Sequence, residues 1–298
     1  MQSPGAGASG PPSNFILARG TNKAMKNSVR VLALIAVGAV VLSAAGCNKL
    51  RARDQLNKGV ASYKNAKYEE AIDHFQQAVS LDPALGVARL YLATAYAQQY
   101  IPGVESDDNM RMGNQAIDQY KKVLEGNPGK ESQINSNKGI AYIYLNMKKF
   151  DDAKAYYRKA QVLDPNDPEP YYSVGVIDWT QTYQPRMEAR AKLGLKPEEP
   201  LKDKKVCGEI KDKNWGNIQD GIDVLNKALQ LRPDYDDAMA YMNLMYREKA
   251  DVECDDPAQR AADLKTADEW VDKTMATKKA KAEKQPGAQG ITLDQPSK

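Results

Sequence analysis

A ladder of small and aromatic residues set out over 34 residues returns along this chain at spacings of 45, 37 and 68, and this recurrence limits the possible folds more than any other feature. Between Ala52 and Leu85 stand Gly59, Tyr63, Tyr68, Ala71, Phe75 and Ala78, followed by Asp82-Pro83. The pattern returns as Ala116, Tyr120 and Asn127-Pro128, then as Phe150, Ala153, Tyr157, Ala160 and Asp164-Pro165, and again as Ile222, Leu225, Ala228 and Arg232-Pro233. Small residues at helical spacing let two helices approach closely, while Tyr and Phe fill the grooves between them. Each proline marks the end of a second helix, because it disfavours helical geometry in the residue before it. A helix pair of this kind leaves an apolar face uncovered until a neighbour stacks on it, so the pattern predicts an all-α array. The 16 Tyr against only 3 Phe, in a chain rich in Ala, Lys, Asp and Gln, agree with surface-rich helices.

These residues resemble the tetratricopeptide repeat family, whose unit is a helix-turn-helix of 34 residues. The resemblance covers roughly 52–277 and implies an α-solenoid of five to six helix pairs coiled into a right-handed superhelix. Units are expected near 52–85, 86–130, 134–167, 168–234 and 238–277, with a disordered polar tail over 278–298. Two spacings break the rhythm. Pro83 to Pro128 is 45 residues, which predicts a long inter-helix loop from Gln99 to Met112. Pro165 to Pro233 is 68 residues, so 168–234 holds either one repeat split by an insertion or two degenerate repeats. Asn214-Trp215-Gly216-Asn217 falls where a turn between two degenerate repeats would lie, which favours the second option.

The resemblance also implies a function. Solenoids bind extended partners along a concave face built mainly from first helices. Matching the family's groove positions residue by residue gives Leu56, Val60 and Tyr63 in the first unit and Leu90 and Thr94 in the second. Lys138, Tyr142 and Asn146 follow in the third, Tyr172, Val176 and Trp179 in the fourth, and Met242 and Tyr246 in the last. Tyr63, Tyr142, Tyr172, Trp179 and Tyr246 would then form an aromatic stripe offering apolar area with a polar handle to a protein or peptide partner. The places where some relatives carry a clamp for a terminal carboxylate hold Leu56, Val60, Tyr91, Asn135 and Gly139, so that clamp is absent.

The N-terminal part reads as an address. Residues 1–24 are rich in Gly, Pro, Ser and Ala and cannot bury enough apolar surface to order themselves, so they are expected to be a disordered or an untranslated extension. Met25, Lys26 and Arg30 precede an apolar run from Val31 to Leu42 and then small residues up to Gly46, the layout of a signal peptide over 25–46. The run is short of the roughly 20 residues a membrane-spanning helix needs. Ala44-Ala45-Gly46-Cys47 resembles the lipobox of bacterial lipoproteins. That resemblance implies lipidation of Cys47, a lipidated linker over 47–51, and a cell-envelope address in which Asn48 favours the outer membrane. An uncleaved N-terminal helix, tethering the scaffold or leaving it in the cytoplasm, is the alternative.

Composition narrows the chemistry. The formal charge of +3 comes from Arg19, Lys23, Lys26 and Arg30, none with an acidic neighbour before Cys47. The remainder holds 38 Lys and Arg against 39 Asp and Glu, without the basic excess of a nucleic-acid binder. One His and three Cys supply neither a His-rich metal site nor a four-cysteine cage. No phosphate loop, nucleophile elbow or paired-carboxylate cleft is visible. The expectation is therefore a non-catalytic scaffold without cofactor, metal or small-molecule substrate; an enzyme built on the irregular 180–216 segment is the alternative. Cys207 and Cys254 would lie in adjacent repeats, where an oxidising compartment would permit a disulfide.

Overall fold

A computed structural model describes residues 46–196 and 199–284. The N-terminal extension, the residues before 46 expected to be a signal peptide, and the tail from 285 lie outside the described residues. The described residues form ten helices and no strand. They are α1 over 46–64, α2 Tyr68–Leu81, α3 Gly86–Gln99, α4 Asp107–Glu125 and α5 Lys130–Asn146, followed by α6 Phe150–Leu163, α7 Pro168–Lys192, α8 Lys204–Leu231, α9 Asp236–Asp251 and α10 Pro257–Lys284. From α2 onward each helix packs on the next, giving five pairs in a row. The core is accordingly a series of clusters. Phe75, Tyr96, Tyr120 and Ile140 centre one, Tyr157, Val174 and Ile177 a second, and Leu225, Met242 and Met245 a third.

The ladder residues do what their sizes dictate. Ala71, Ala78, Ala116, Ala141, Ala153, Ala160 and Ala228 are completely buried between helices. At Gly59 an added Cβ would stand 2.5 Å from the Phe75 ring, so the absent side chain is what lets α1 and α2 meet. Within units one and three the turn is made the same way. Ala66 and Lys148 take positive φ, 58° in each, and the following amides donate back to the Ser62 and Tyr144 carbonyls at 2.9 and 2.8 Å. This is the left-handed helix ending that glycine usually supplies, here built on residues that carry a Cβ.

The two irregular spacings resolve differently from expectation. The loop after α3 spans only 100–106, because α4 begins at Asp107 and takes up the rest. Asn109 explains why so short a connection is ordered. Its amide donates to the Ile101 and Val104 carbonyls at 2.8 and 2.6 Å, and its Oδ1 accepts from the Ile101 amide at 2.7 Å. Ser106 caps α4, with Asp107 and Asp108 at its positive end.

Residues 168–234 are one helix pair with both members lengthened, so two degenerate repeats are ruled out. α7 has 25 residues and α8 has 28, where α2, α3 and α6 have 14 each. Asn214 to Asn217 lie inside α8, and the turn expected there is absent. The buried Asn214 side chain donates to the Thr182 carbonyl at 2.9 Å and ties the two extended helices together. Pro185 removes one internal hydrogen bond from α7 without ending it. The extra turns therefore form an overhang, residues 182–192 of α7 and the first half of α8, which projects beyond the ordinary unit. Gly194, at φ 65°, closes α7 with the Leu195 amide bonded to the Arg190 carbonyl at 3.1 Å.

Two boundaries also move. Residues 47–51, expected as a linker, belong to α1, in keeping with helix formers such as Lys49, Leu50, Arg51 and Ala52. At the other end α10 continues to Lys284, so 278–284 are helical. Lys281 there pairs with Asp236 at the start of α9, 2.6 Å away. Among the described residues no helix is long and apolar enough to cross a membrane.

Candidate functional site

The first helices α1, α3, α5, α7 and α9 supply the positions expected to face a partner. In the first two units these side chains serve the interior more than the surface. Leu56, Val60, Tyr63 and Leu90 are partly buried against the first core cluster, and Tyr63 meets Tyr68 edge-on at 5.3 Å. Thr94 donates to the Leu90 carbonyl at 2.9 Å and accepts from the Tyr120 hydroxyl at 3.2 Å. Val87 and Tyr91, one helical turn apart, are the exposed large apolar residues of α3. Their i, i+4 spacing was visible, but the family's groove positions do not include both.

The third unit offers the most open surface. Tyr142 is 47% exposed, and Asn146, one turn on, donates to its carbonyl at 2.8 Å. Lys138, one turn before Tyr142, reaches the next unit and bonds Asp167 at 2.9 Å and Glu169 more closely. These carboxylates raise the Lys138 pKa against the opposing effect of burial, which holds the ammonium charged.

In the fourth unit the expected residues come together with three that were not expected. Tyr172 lies 4.8 Å from Tyr235 and 5.7 Å from Tyr241, ring centre to ring centre. Trp179 meets Tyr241 edge-on at 5.5 Å and Tyr183 at 4.9 Å. Val176 is partly buried on the same helix. Burial raises the Tyr172 hydroxyl above its ordinary pKa and the Tyr235 hydroxyl to about 12, so both remain neutral donors. The expected stripe is therefore an exposed Tyr142 and a separate aromatic seam between α7 and α9.

The last unit needs a correction of register. Met242 is 1% exposed and belongs to the core, while Tyr246 is half-buried with the Lys249 ammonium 5.7 Å from its ring centre. The 68-residue spacing gives the reason. Counting it from α7 places Met242 on the buried Val174, and puts Ala240, Leu244 and Arg247 on Tyr172, Val176 and Trp179. The same count was legible in Pro165 and Pro233.

Leu244 and Arg247 open onto a cavity of about 500 Å³ that ends this face. Trp179, Tyr183, Met187 and Leu264 supply much of its apolar wall, and Arg186, Arg190, Glu248 and Asp251 line its floor. Asp251 accepts from Arg186 at 2.8 Å and from Arg190 at 2.9 Å, and Arg186 Nε lies 2.8 Å from Glu248. Arg190 also donates to the Lys196 and Glu199 carbonyls. Burial pushes the Glu248 carboxyl up to about 7 despite Arg186 beside it. A second buried network crosses α6, α7 and α8, where Lys154 bonds Asp178 and Asp220, and Arg158 bonds Asp220. There burial raises Asp178 to about 7.

Cys207 on α8 and Cys254 in the loop before α10 are joined by a disulfide, Cα to Cα 5.7 Å, which staples the overhang to the last unit. Cys47 is exposed and unbridged on α1.

Family models for the tetratricopeptide repeat match residues 52–85 and 136–167. No curated protein matches the sequence. Among solved structures, a crystal structure of MamA protein superposes with a TM-score of 0.52 at 14% identity, covering 79% of this chain and 96% of that one. MamA from Desulfovibrio magneticus RS-1, residues 41 to the end, gives 0.52 at 16%, covering 77% and 96%, and a double mutant of the RS-1 protein gives 0.53 at 16%, covering 78% and 97%. These identities speak for the fold alone. With two matched repeats and further helix pairs of the same build stacked beside them, the chain is a tetratricopeptide repeat protein.

Proposed function

We propose that this chain is a lipid-anchored scaffold of the cell envelope that binds a protein partner along its first-helix face and performs no chemistry of its own. The observation that carries the binding reading is the open surface around Tyr142 on α5, flanked by Asn146 and the charged Lys138. An exposed tyrosine on a rigid helix presents contact area at little conformational cost, as binding surfaces favour. The address rests on the lipobox-like run ending at Cys47. It is supported by the Cys207–Cys254 bridge, since disulfides persist in oxidising compartments. Outer-membrane placement follows from Asn48 after the cysteine.

Two measurements test the two halves. Labelled palmitate is expected in the wild-type protein and absent from Cys47→Ser, and label that survives the substitution contradicts the anchor. Tyr142→Ala is expected to weaken capture of the partner at least tenfold while circular dichroism stays native, because its side chain is largely exposed. Unchanged capture would remove the face from consideration.

A further inference from the structure

The extra turns of α7 wall a space that a unit of ordinary length would leave open. Tyr183, Arg186, Met187 and Arg190 belong to this overhang, and all four line the cavity of about 500 Å³ at the end of the first-helix face. Leu244 and Glu248 of α9 and Leu264 of α10 close it from the other side. Trp179 and Tyr183, their ring centres 4.9 Å apart, give it an aromatic wall. This volume lies within the range of pockets for small molecules, and an apolar wall with a few convergent polar groups is the kind that holds them.

The polar groups around this space differ in what they still lack. Arg186 and Arg190 both donate to Asp251, Arg247 donates to Asn243 and Asp268, and Arg260 is engaged as well, so the lining guanidiniums are committed. Glu248 is the exception. It is 1% exposed, its charge is met by Arg186 Nε 2.8 Å from Oε2, and its Oε1 accepts no hydrogen bond among the described residues. A buried acceptor without a donor is rare in folded proteins, because the group has given up water for nothing. The cavity that Glu248 lines is where a donor has room to reach it. An anion there would set its charge against a carboxylate. A cation would meet a carboxylate whose charge Arg186 already offsets, with further guanidiniums around it. The group that fits is therefore a neutral N–H or O–H, carried on a body that suits the rings of Trp179 and Tyr183.

We infer that this cavity binds a small neutral molecule, a flat aromatic body bearing an N–H or O–H donor, with Glu248 accepting the donor and Trp179 and Tyr183 facing the ring. The site is separate from the open surface around Tyr142 and does not depend on a protein partner binding there. Calorimetric titration of the oxidised, full-length chain with indole, 2-phenylethanol and 3-phenylpropionamide tests it, at pH 8, where the Glu248 carboxyl, pushed up to about 7 by burial, is ionised. Each probe is paired with a form whose donor is methylated: 1-methylindole, the methyl ether and the dimethylamide. At least one donor is expected to bind at a single site with Kd below about 1 mM, and its methylated form at least tenfold more weakly, since a buried acceptor rejects an analogue that cannot pair with it. The anion 3-phenylpropionate is expected to bind more weakly than its amide. Glu248→Met, close in size but without an acceptor, is expected to cut the advantage of donor over methylated form to less than about twofold while circular dichroism stays native. Should that variant not fold, Leu244→Trp, at a partly exposed position, fills the cavity and is expected to abolish binding. Failure of all three donors to bind at about 5 mM would mean that the cavity holds water alone and would overturn the proposal. So would equal binding of donors and methylated forms, an acid as tight as its amide, a donor preference that survives Glu248→Met, or binding that survives Leu244→Trp.

Discussion

Lys148 shows how much a single backbone angle contributes. It sits at φ 58°, where a Cβ crowds the neighbouring carbonyl at a cost of about 1–2 kcal/mol. Lys148→Gly is accordingly expected to stabilise the protein by about 0.5–1 kcal/mol in urea denaturation, after the added freedom of the unfolded chain is subtracted. Gly59→Ala is expected to do the opposite, by about 1–3 kcal/mol, because the new methyl meets the buried Phe75 ring. Two carboxyls set a pH dependence. Asp178, facing Lys154 and Asp220, and Glu248, facing Arg186, Arg190 and Asp251, are both pushed up to about 7 in the folded chain. Between about pH 4 and pH 7 the folded protein holds protons that the unfolded chain has released, so their stabilising effect shrinks as pH rises through that window. Asp220 and Asp236 are held low and oppose this only below the ordinary carboxylate range. Thermal melts should therefore give a higher Tm at pH 5.5 than at pH 8, on the order of a few degrees, and the pair Asp178→Asn and Glu248→Gln should flatten the difference. Gly59, the alanine ladder and the prolines were legible because size and helix-ending chemistry are local. Asp178 and Glu248 were not, since their state depends on helices distant in sequence.

Among the elements, α7 and α8 depart furthest from the repeat. The 68-residue spacing announced extra length but did not say where it goes. Four short helices and two long ones have similar composition, and the Gly216 that suggested a turn is tolerated inside α8 at a cost of only about 1 kcal/mol. Long-range ties decide the outcome: Asn214 to Thr182, Arg190 to Asp251, and the disulfide from Cys207 to Cys254. The bridge closes a loop with a sequence separation of 47, worth about 4 kcal/mol in a chain-entropy model. Reduction, or Cys254→Ser with Cys207→Ser, is expected to raise amide hydrogen exchange in the first turns of α8 while α1–α6 keep their protection, because stability in a solenoid passes only between neighbours. Uniform loss of protection across all five units would contradict that modular picture.

At the scale of the whole molecule, five helix pairs stack into one array whose first helices share a face. That much was legible from the period, since an incomplete repeat has no other way to bury its apolar side. The groove was legible only in part. Tyr142 is exposed on α5 with Asn146 one turn on, whereas Met242 is core because the last unit keeps the register of the fourth. Side chains such as Tyr172 and Trp179 are drawn into the seam between α7 and α9 by rings on other helices, which no local pattern reveals. The central claim is that a partner lies along the first-helix face. Site-specific photocrosslinking in the native host compares a benzoylphenylalanine at Tyr142 with one at Val162, which is 81% exposed on the second helix α6. A reproducible protein adduct from position 142, with none from 162, is the predicted result; no adduct from 142, or the same adducts from both positions, would contradict it.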